Sequence, residues 1–190
     1  CHLDHKSRRF SSASLKVSPH HRTDWLNRLL PYCPFSFELL SDACPSCQED
    51  LRWTEPFGIE YCESCEHDLR KSSSPHLEPP LRRDYRAFAD LCSLEEHRRE
   101  TALTSLPPAI RKTPPGTLLR TALQVGQFVR GNDPIPETHL SRLPASDLAH
   151  IVASGMRALT EWPDRFQSWV ANEANARRSD QIRYSALKRS

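Results

Sequence analysis

Apolar positions along the chain follow two different rules. From residue 81 onward they recur every three or four residues, the period of a helix buried on one side. Leu81, Tyr85, Phe88, Ala89 and Leu91 predict a helix over 81–91. Pro114-Pro115-Gly116 stops one segment, and Thr117 can cap the next, whose stripe is Leu119, Leu123 and Phe128. Pro144-Ala145-Ser146 opens a helix with Leu148, Ile151, Val152, Gly155 and Leu159 on one face. Trp162-Pro163 breaks it, and Phe166, Trp169 and Val170 begin the last helix, with Trp162, Phe166 and Trp169 expected in the core.

Ahead of residue 72 the pattern changes. Leu51, Trp53, Phe57, Ile59 and Tyr61 partly alternate with polar residues, and Pro56-Phe57-Gly58 marks a bend, which predicts two short strands joined by a turn. Ser72–Pro80, rich in Ser and Pro, reads as a linker. The expected organisation is a basic arm over 1–30, a cysteine-bearing module over 31–71, the linker over 72–80, a helical domain over 81–176 and a basic tail over 177–190.

The cysteines give the first module its chemistry. Cys44-Pro-Ser-Cys47 and Cys62-Glu-Ser-Cys65 are two C-x2-C pairs with residues 48–61 between them. Each pair puts two thiolates on one tight turn, and two turns face to face supply the four sulfurs of a structural Zn²⁺ site. Seven cysteines, an odd number, and the lack of a secretion signal argue against two disulfides, and a redox dithiol explains one pair but not two. The expected fold is therefore a small zinc ribbon, a four-cysteine module with a short β-hairpin, followed by an all-α helical domain that permits a helix-turn-helix. Four protein ligands leave no open coordination position, so the metal's task is to hold together a module poor in apolar residues. Cys92 falls in a helical pattern and reads as a small buried apolar residue.

Charge is segregated as strongly as hydrophobicity. Residues 37–68 carry nine acids against Arg52 alone, and a tetrathiolate zinc centre adds about −2 more. Such a module repels phosphates and is better suited to protein docking. Basic residues gather in the tail, where Arg177, Arg178, Arg183, Lys188 and Arg189 are the candidate nucleic-acid contacts. Five Gly in 190 residues supply neither a phosphate loop nor a dinucleotide fold. No apolar run reaches the length of a membrane span, and a cytoplasmic protein is expected. The nine His are scattered, and no catalytic triad, nucleophile elbow or paired-carboxylate pattern is visible, which predicts a non-enzyme. The chain opens on Cys1 and its one methionine is Met156, so a missing upstream segment is expected.

Trp25-Leu26-Asn27-Arg28-Leu29-Leu30, then Cys33-Pro34-Phe35-Ser36, Cys44-Pro45-Ser46-Cys47 and Cys62-Glu63-Ser64-Cys65 occur in an order that resembles the TniQ family of bacterial transposon proteins. Leu118–Phe128 and Leu159-Thr160-Glu161-Trp162-Pro163-Asp164-Arg165-Phe166 are similar to the leucine-rich and Trp-Pro segments of that family's helical half. The resemblance spans about residues 24–175. It departs at Ser36, where the family usually has a histidine closing a second metal site. With Cys1 as the one cysteine upstream of Cys33, that site is expected to be degenerate, although Cys1, His2, His5, His20 and His21 remain possible companions for Cys33.

The resemblance implies a non-catalytic targeting adaptor. Its partners would be an AAA+ transposition ATPase and a target-recognition complex or factor, sequence-specific or RNA-guided, with DNA met directly or within the complex and no membrane. The alternative is a stand-alone zinc-ribbon DNA-binding transcriptional regulator.

Overall fold

The computed structural model describes residues 7–54, 57–130, 135–168 and 170–171. The second half is helical: α2 spans Pro79–Cys92, α3 Glu96–Ser105, α4 Pro108–Arg111, α5 Pro115–Val129, α6 Glu137–Leu140 and α7 Ala145–Thr160. The first half carries α1, Ser12–Val17, and otherwise irregular chain. Five of the helices begin with proline at the first or second position or directly before it (α2, α4, α5, α6 and α7), where the missing N–H removes no helical bond.

α2, α5 and α7 form the core of the helical domain. α2 buries Leu81, Tyr85, Phe88, Ala89 and Leu91, and α7 buries Leu148, Ile151, Val152, Met156 and Leu159. α5 and α7 cross at two glycines. A β-carbon at Gly126 would stand 2.0 Å from the Ile151 carbonyl oxygen, and one at Gly155 would stand 1.8 Å from that of Ala122. The contact is reciprocal, so the backbones touch without side chains between them. Asp84, 1% exposed on α2, accepts from Nε of Arg157 on α7 at 2.6 Å. That pair ties the two helices together at their polar edge.

The stripes deviate from expectation where helices end. Leu123 is buried, but Phe128 is 42% exposed, and α5 buries Leu118, Ala122, Leu123, Gly126 and Gln127 instead. The cap at the start of α5 is Pro114, and Thr117 lies inside the helix. Trp162 and Phe166 are half-buried and stacked on one another at 5.0 Å after α7, so they form a surface pair and not part of the core. Trp169 lies outside the described residues.

The first half owes its shape to two adjacent arginines. Arg8 is 0% and Arg9 5% exposed. Arg9 donates to the carbonyls of Trp25 at 2.6 Å, Leu30 at 3.1 Å and Asn27 at 2.7 Å. Arg8 donates to the carbonyls of Arg52 at 3.0 Å, Ile59 at 2.5 Å and Tyr61 at 3.1 Å, and pairs with Glu63 at 2.9 Å. The segment from Ser7 to 30, expected as a basic arm, is thus packed into the cysteine module.

The same Arg8 accounts for the fate of the expected hairpin. Among the described residues no strand ladder forms, and pairing is confined to isolated antiparallel bridges such as Ala43–Asp50 and Tyr61–Asp68. Within 48–61, Leu51 is buried, Ile59 half-buried, and Trp53 and Phe57 exposed. Three carbonyls of this stretch and its end are satisfied by the Arg8 guanidinium, so the connection wraps a side chain and does not pair with itself.

The two halves are joined by Tyr85. Its hydroxyl accepts from Tyr32 N at 2.9 Å and donates to Tyr32 O at 2.8 Å. Leu29, Leu30, Tyr32 and Leu77 belong to the helical core, while Phe10, Leu15, Trp25, Leu40, Leu51 and Leu69 form a second cluster around the cysteines. The 72–80 stretch is anchored as well: Leu77 is buried, and its N–H donates to Phe37 O at 2.7 Å.

Candidate metal centre

Three short loops of the first half share one backbone design. In each, a cysteine carbonyl accepts from the residue four positions on, and its N–H donates to the carbonyl five positions on. The pairs are Phe37 N to Cys33 O at 2.8 Å with Cys33 N to Glu38 O at 2.8 Å; Gln48 to Cys44 at 2.9 Å with Cys44 to Glu49 at 2.9 Å; and Glu66 to Cys62 at 2.9 Å with Cys62 to His67 at 3.0 Å. The fourth residue past each cysteine is left-handed, with φ of 60° at Phe37, 65° at Gln48 and 58° at Glu66. None is glycine, so each loop holds about 1–2 kcal/mol of backbone strain that the rest of the loop must offset. The repeat is a turn built to point two side chains, the first and the fourth, in one direction.

In two of the loops those side chains are cysteines, and they converge. Cys44, Cys47, Cys62 and Cys65 offer four sulfurs that all lie within 4.8 Å of one another. Cys44 and Cys65 are 3.7 Å apart, as are Cys47 and Cys62. A tetrahedron with ~2.3 Å metal–sulfur bonds has an edge of about 3.8 Å, so the cluster is sized for such an ion. The N–H groups of Ser46 and Ser64 point at the Cys44 and Cys62 sulfurs at 3.4 Å. A backbone hydrogen bond from His67 lowers the Cys65 thiol to about 7, whereas burial raises that of Cys44. Against a backbone hydrogen bond from Glu49, burial and the neighbouring cysteines push the Cys47 thiol up to about 12. The donor set can hold a metal ion such as zinc. Among the described residues it is the one group of three or more Cys, His, Asp or Glu donors close enough to share an ion.

In the remaining loop the first side chain is Cys33 and the fourth is Ser36. Cys33 is fully buried, and its sulfur lies 3.2 Å from the hydroxyl of Ser14. The Ser11 hydroxyl lies 2.9 Å from that of Ser36 and donates to the buried Glu38 carboxylate at 2.5 Å. Glu38 also accepts from Ala13 N at 2.8 Å and from Ser74 N at 3.1 Å. Burial pushes the Cys33 thiol up, but hydrogen bonds from Ser14 and Ser36 outweigh it and leave the thiol below its ordinary value. The indole N–H of Trp25 is buried and has no hydrogen-bond partner among the described residues. The corners of this loop are thus filled by hydroxyls from the start of α1.

The candidate companions of Cys33 lie elsewhere. His20 is exposed and bonded to Ser18 at 2.7 Å. His21 packs edge-on against Trp25 and Trp53, with ring centroids 5.1 and 4.8 Å away. Burial, and then the charges of Arg8 and Arg9, lower His21 to about 4, so it is a neutral packing residue. Cys1, His2 and His5 lie outside the described residues, as do Arg177, Arg178, Arg183, Lys188 and Arg189. Cys92 is half-buried against the helical core.

Sequence reasoning missed Arg8, Arg9, Ser11, Ser14 and Glu38. A pair of arginines in a basic stretch reads as solvated surface. The signal for the serines was present, since Ser11 and Ser14 have the same two-residue gap as the cysteine pairs. No helix among the described residues is long and apolar enough to cross a membrane.

Comparison with known protein families, curated proteins and solved structures finds no match to this chain.

Proposed function

We propose that the chain is a non-catalytic adaptor of the TniQ type. It would link a target-recognition factor to the AAA+ ATPase that recruits a transposase, through a zinc-ribbon module docked on a helical domain. The observation that carries this reading is the cysteine centre itself. Four thiolates from two like loops close the coordination shell, so the zinc held by Cys44, Cys47, Cys62 and Cys65 supplies folding energy and no bound water. Of the nine acids in this stretch, Glu38 is buried, and Glu63, Asp42, Glu60 and Asp68 pair with Arg8, Arg28 and Arg70. Glu49, Asp50 and Glu66 stay exposed as a small acidic patch that suits a basic protein surface better than phosphate. The ordered cysteine and Trp-Pro motifs support the family assignment, and the two metal loops support a four-cysteine metal module, without the expected hairpin among the described residues.

The test is a binding experiment with the zinc-loaded chain and an AAA+ transposition ATPase. A stable complex that weakens when Glu49, Asp50 and Glu66, all exposed, are changed to Gln or Asn supports the adaptor. Tight, sequence-selective binding of duplex DNA by this chain alone, with a preference of ~10³ or more over random sequence, replaces it with the regulator.

A further inference from the structure

We propose that the face carrying Arg22, Arg82 and Arg86 is a docking surface for the phosphate backbone of duplex DNA. The inference is independent of the adaptor reading, because the cations stand there whatever machinery the chain serves. Phe35 and Phe37 flank Ser36 on the loop that lacks a second cysteine, and each ring carries guanidinium groups. Arg22, Arg86 and Arg98 lie 4.4, 4.8 and 4.9 Å from the centre of Phe35, and Arg82 lies 5.2 Å from that of Phe37.

Only one of these charges is compensated within the described residues. Arg98 is held by Asp24 at 2.9 Å and Asp90 at 2.6 Å. Arg22, Arg82 and Arg86 meet no carboxylate there. Arg82 uses its Nε on the Leu77 carbonyl at 2.9 Å, and the Nε of Arg22 is buried without an acceptor.

Asp24, Asp90 and Glu95 surround Arg98 and offset part of the cluster's charge, and Arg22, Arg82 and Arg86 are the cations left for an external anion. The guanidinium carbons of Arg22 and Arg86 sit over the Phe35 ring and that of Arg82 over the Phe37 ring, and a guanidinium group can bind phosphate through two N–H groups at once. Arg82 and Arg86 are one turn apart on one face of α2, ~6 Å along the surface, and Arg22 continues from Arg86 across Phe35. The result is a group of three half-buried cations around two neighbouring rings. A duplex strand presents a phosphate about every 3.4 Å of axis and can meet such a group without any sequence requirement. Arginine rather than lysine at every position suits bidentate phosphate contact.

The experiment follows binding of the zinc-loaded chain to a short random-sequence duplex by fluorescence anisotropy, at low and at moderate salt. Changing Arg22 and Arg86 together to Gln is expected to weaken binding about tenfold at low salt and to reduce the salt slope by ~1.8, about 0.9 for each phosphate no longer neutralised. Phenylglyoxal labelling of the unaltered chain, read by mass spectrometry, keeps the test independent of how the variant folds, since the duplex should shield Arg22 and Arg86. Unchanged affinity and slope in a folded double variant, or labelling unaffected by the duplex, overturns the proposal. So does loss of binding only on changing Arg177, Arg178 and Arg183. Shielding by an acidic peptide but not by the duplex at equal ionic strength also overturns it, in favour of a protein partner.

Discussion

The two halves of this protein solve the same problem with opposite materials. The helical half is held by apolar side chains on α2, α5 and α7, brought close by the reciprocal glycine contact. The cysteine half has nine buried residues in its cluster, three of them cysteines, and relies on buried polar groups. Arg8 and Arg9 serve as internal scaffolds, satisfying carbonyls that in the helical half are satisfied by the helices themselves. Periodic sequence can close its own hydrogen bonds, and aperiodic sequence has to import donors.

Metal removal should separate the halves most sharply. Cys44→Ser, or chelation of the wild type, should abolish zinc binding and unfold the cysteine half, since structural zinc contributes ~10 kcal/mol or more to such modules. Hydrogen exchange should show loss of protection over 40–71 with α2, α5 and α7 still protected. Uniform loss across both halves would show that they fold as one unit.

Arg8→Met should come next. It leaves three carbonyls and Glu63 without their donor at a site that is 0% exposed, costing about 3 kcal/mol or more by urea unfolding. The effect should be confined to the cysteine half, with weaker zinc retention under chelator challenge. The matching change in the other half is Gly126→Ala. Its methyl would collide with the Ile151 backbone, forcing α5 and α7 apart at a cost of about 3 kcal/mol while zinc content stays at one per chain. Equal stability of Gly126→Ala and wild type would refute the close crossing.

The smallest expected effect is a pH dependence located in the cysteine half. His21 has a folded-state pKa of about 4, lowered from 6.5 by burial and by Arg8 and Arg9. Between those values the unfolded chain takes up a proton that the folded chain refuses. Stability from this residue is therefore complete above pH 6.5 and falls as the pH drops toward 4, by on the order of 2 kcal/mol after solvent screening. His21→Gln should flatten the stability profile over that range relative to wild type, and parallel profiles for the two proteins would remove His21 as the cause.

Sequence by itself determined the pieces whose physics is local. The three-to-four-residue period of α2, α5 and α7, the proline stops before them and the two C-x2-C turns were all legible, because each depends on residues a turn or two apart. What only the tertiary structure decided depends on residues far apart in the chain. Arg8 reaches carbonyls more than forty positions away, so no window of sequence shows that it replaces hairpin pairing. Ser11 and Ser14 fill the corners of the Cys33–Ser36 loop only because α1 lies across it. Gly126 and Gly155 read singly as a weak position in each helix, and their meaning is the contact each makes with the other helix's backbone. Period and spacing constrain neighbours along the chain, whereas buried donors, filled corners and backbone contacts are set by whichever segments packing brings together.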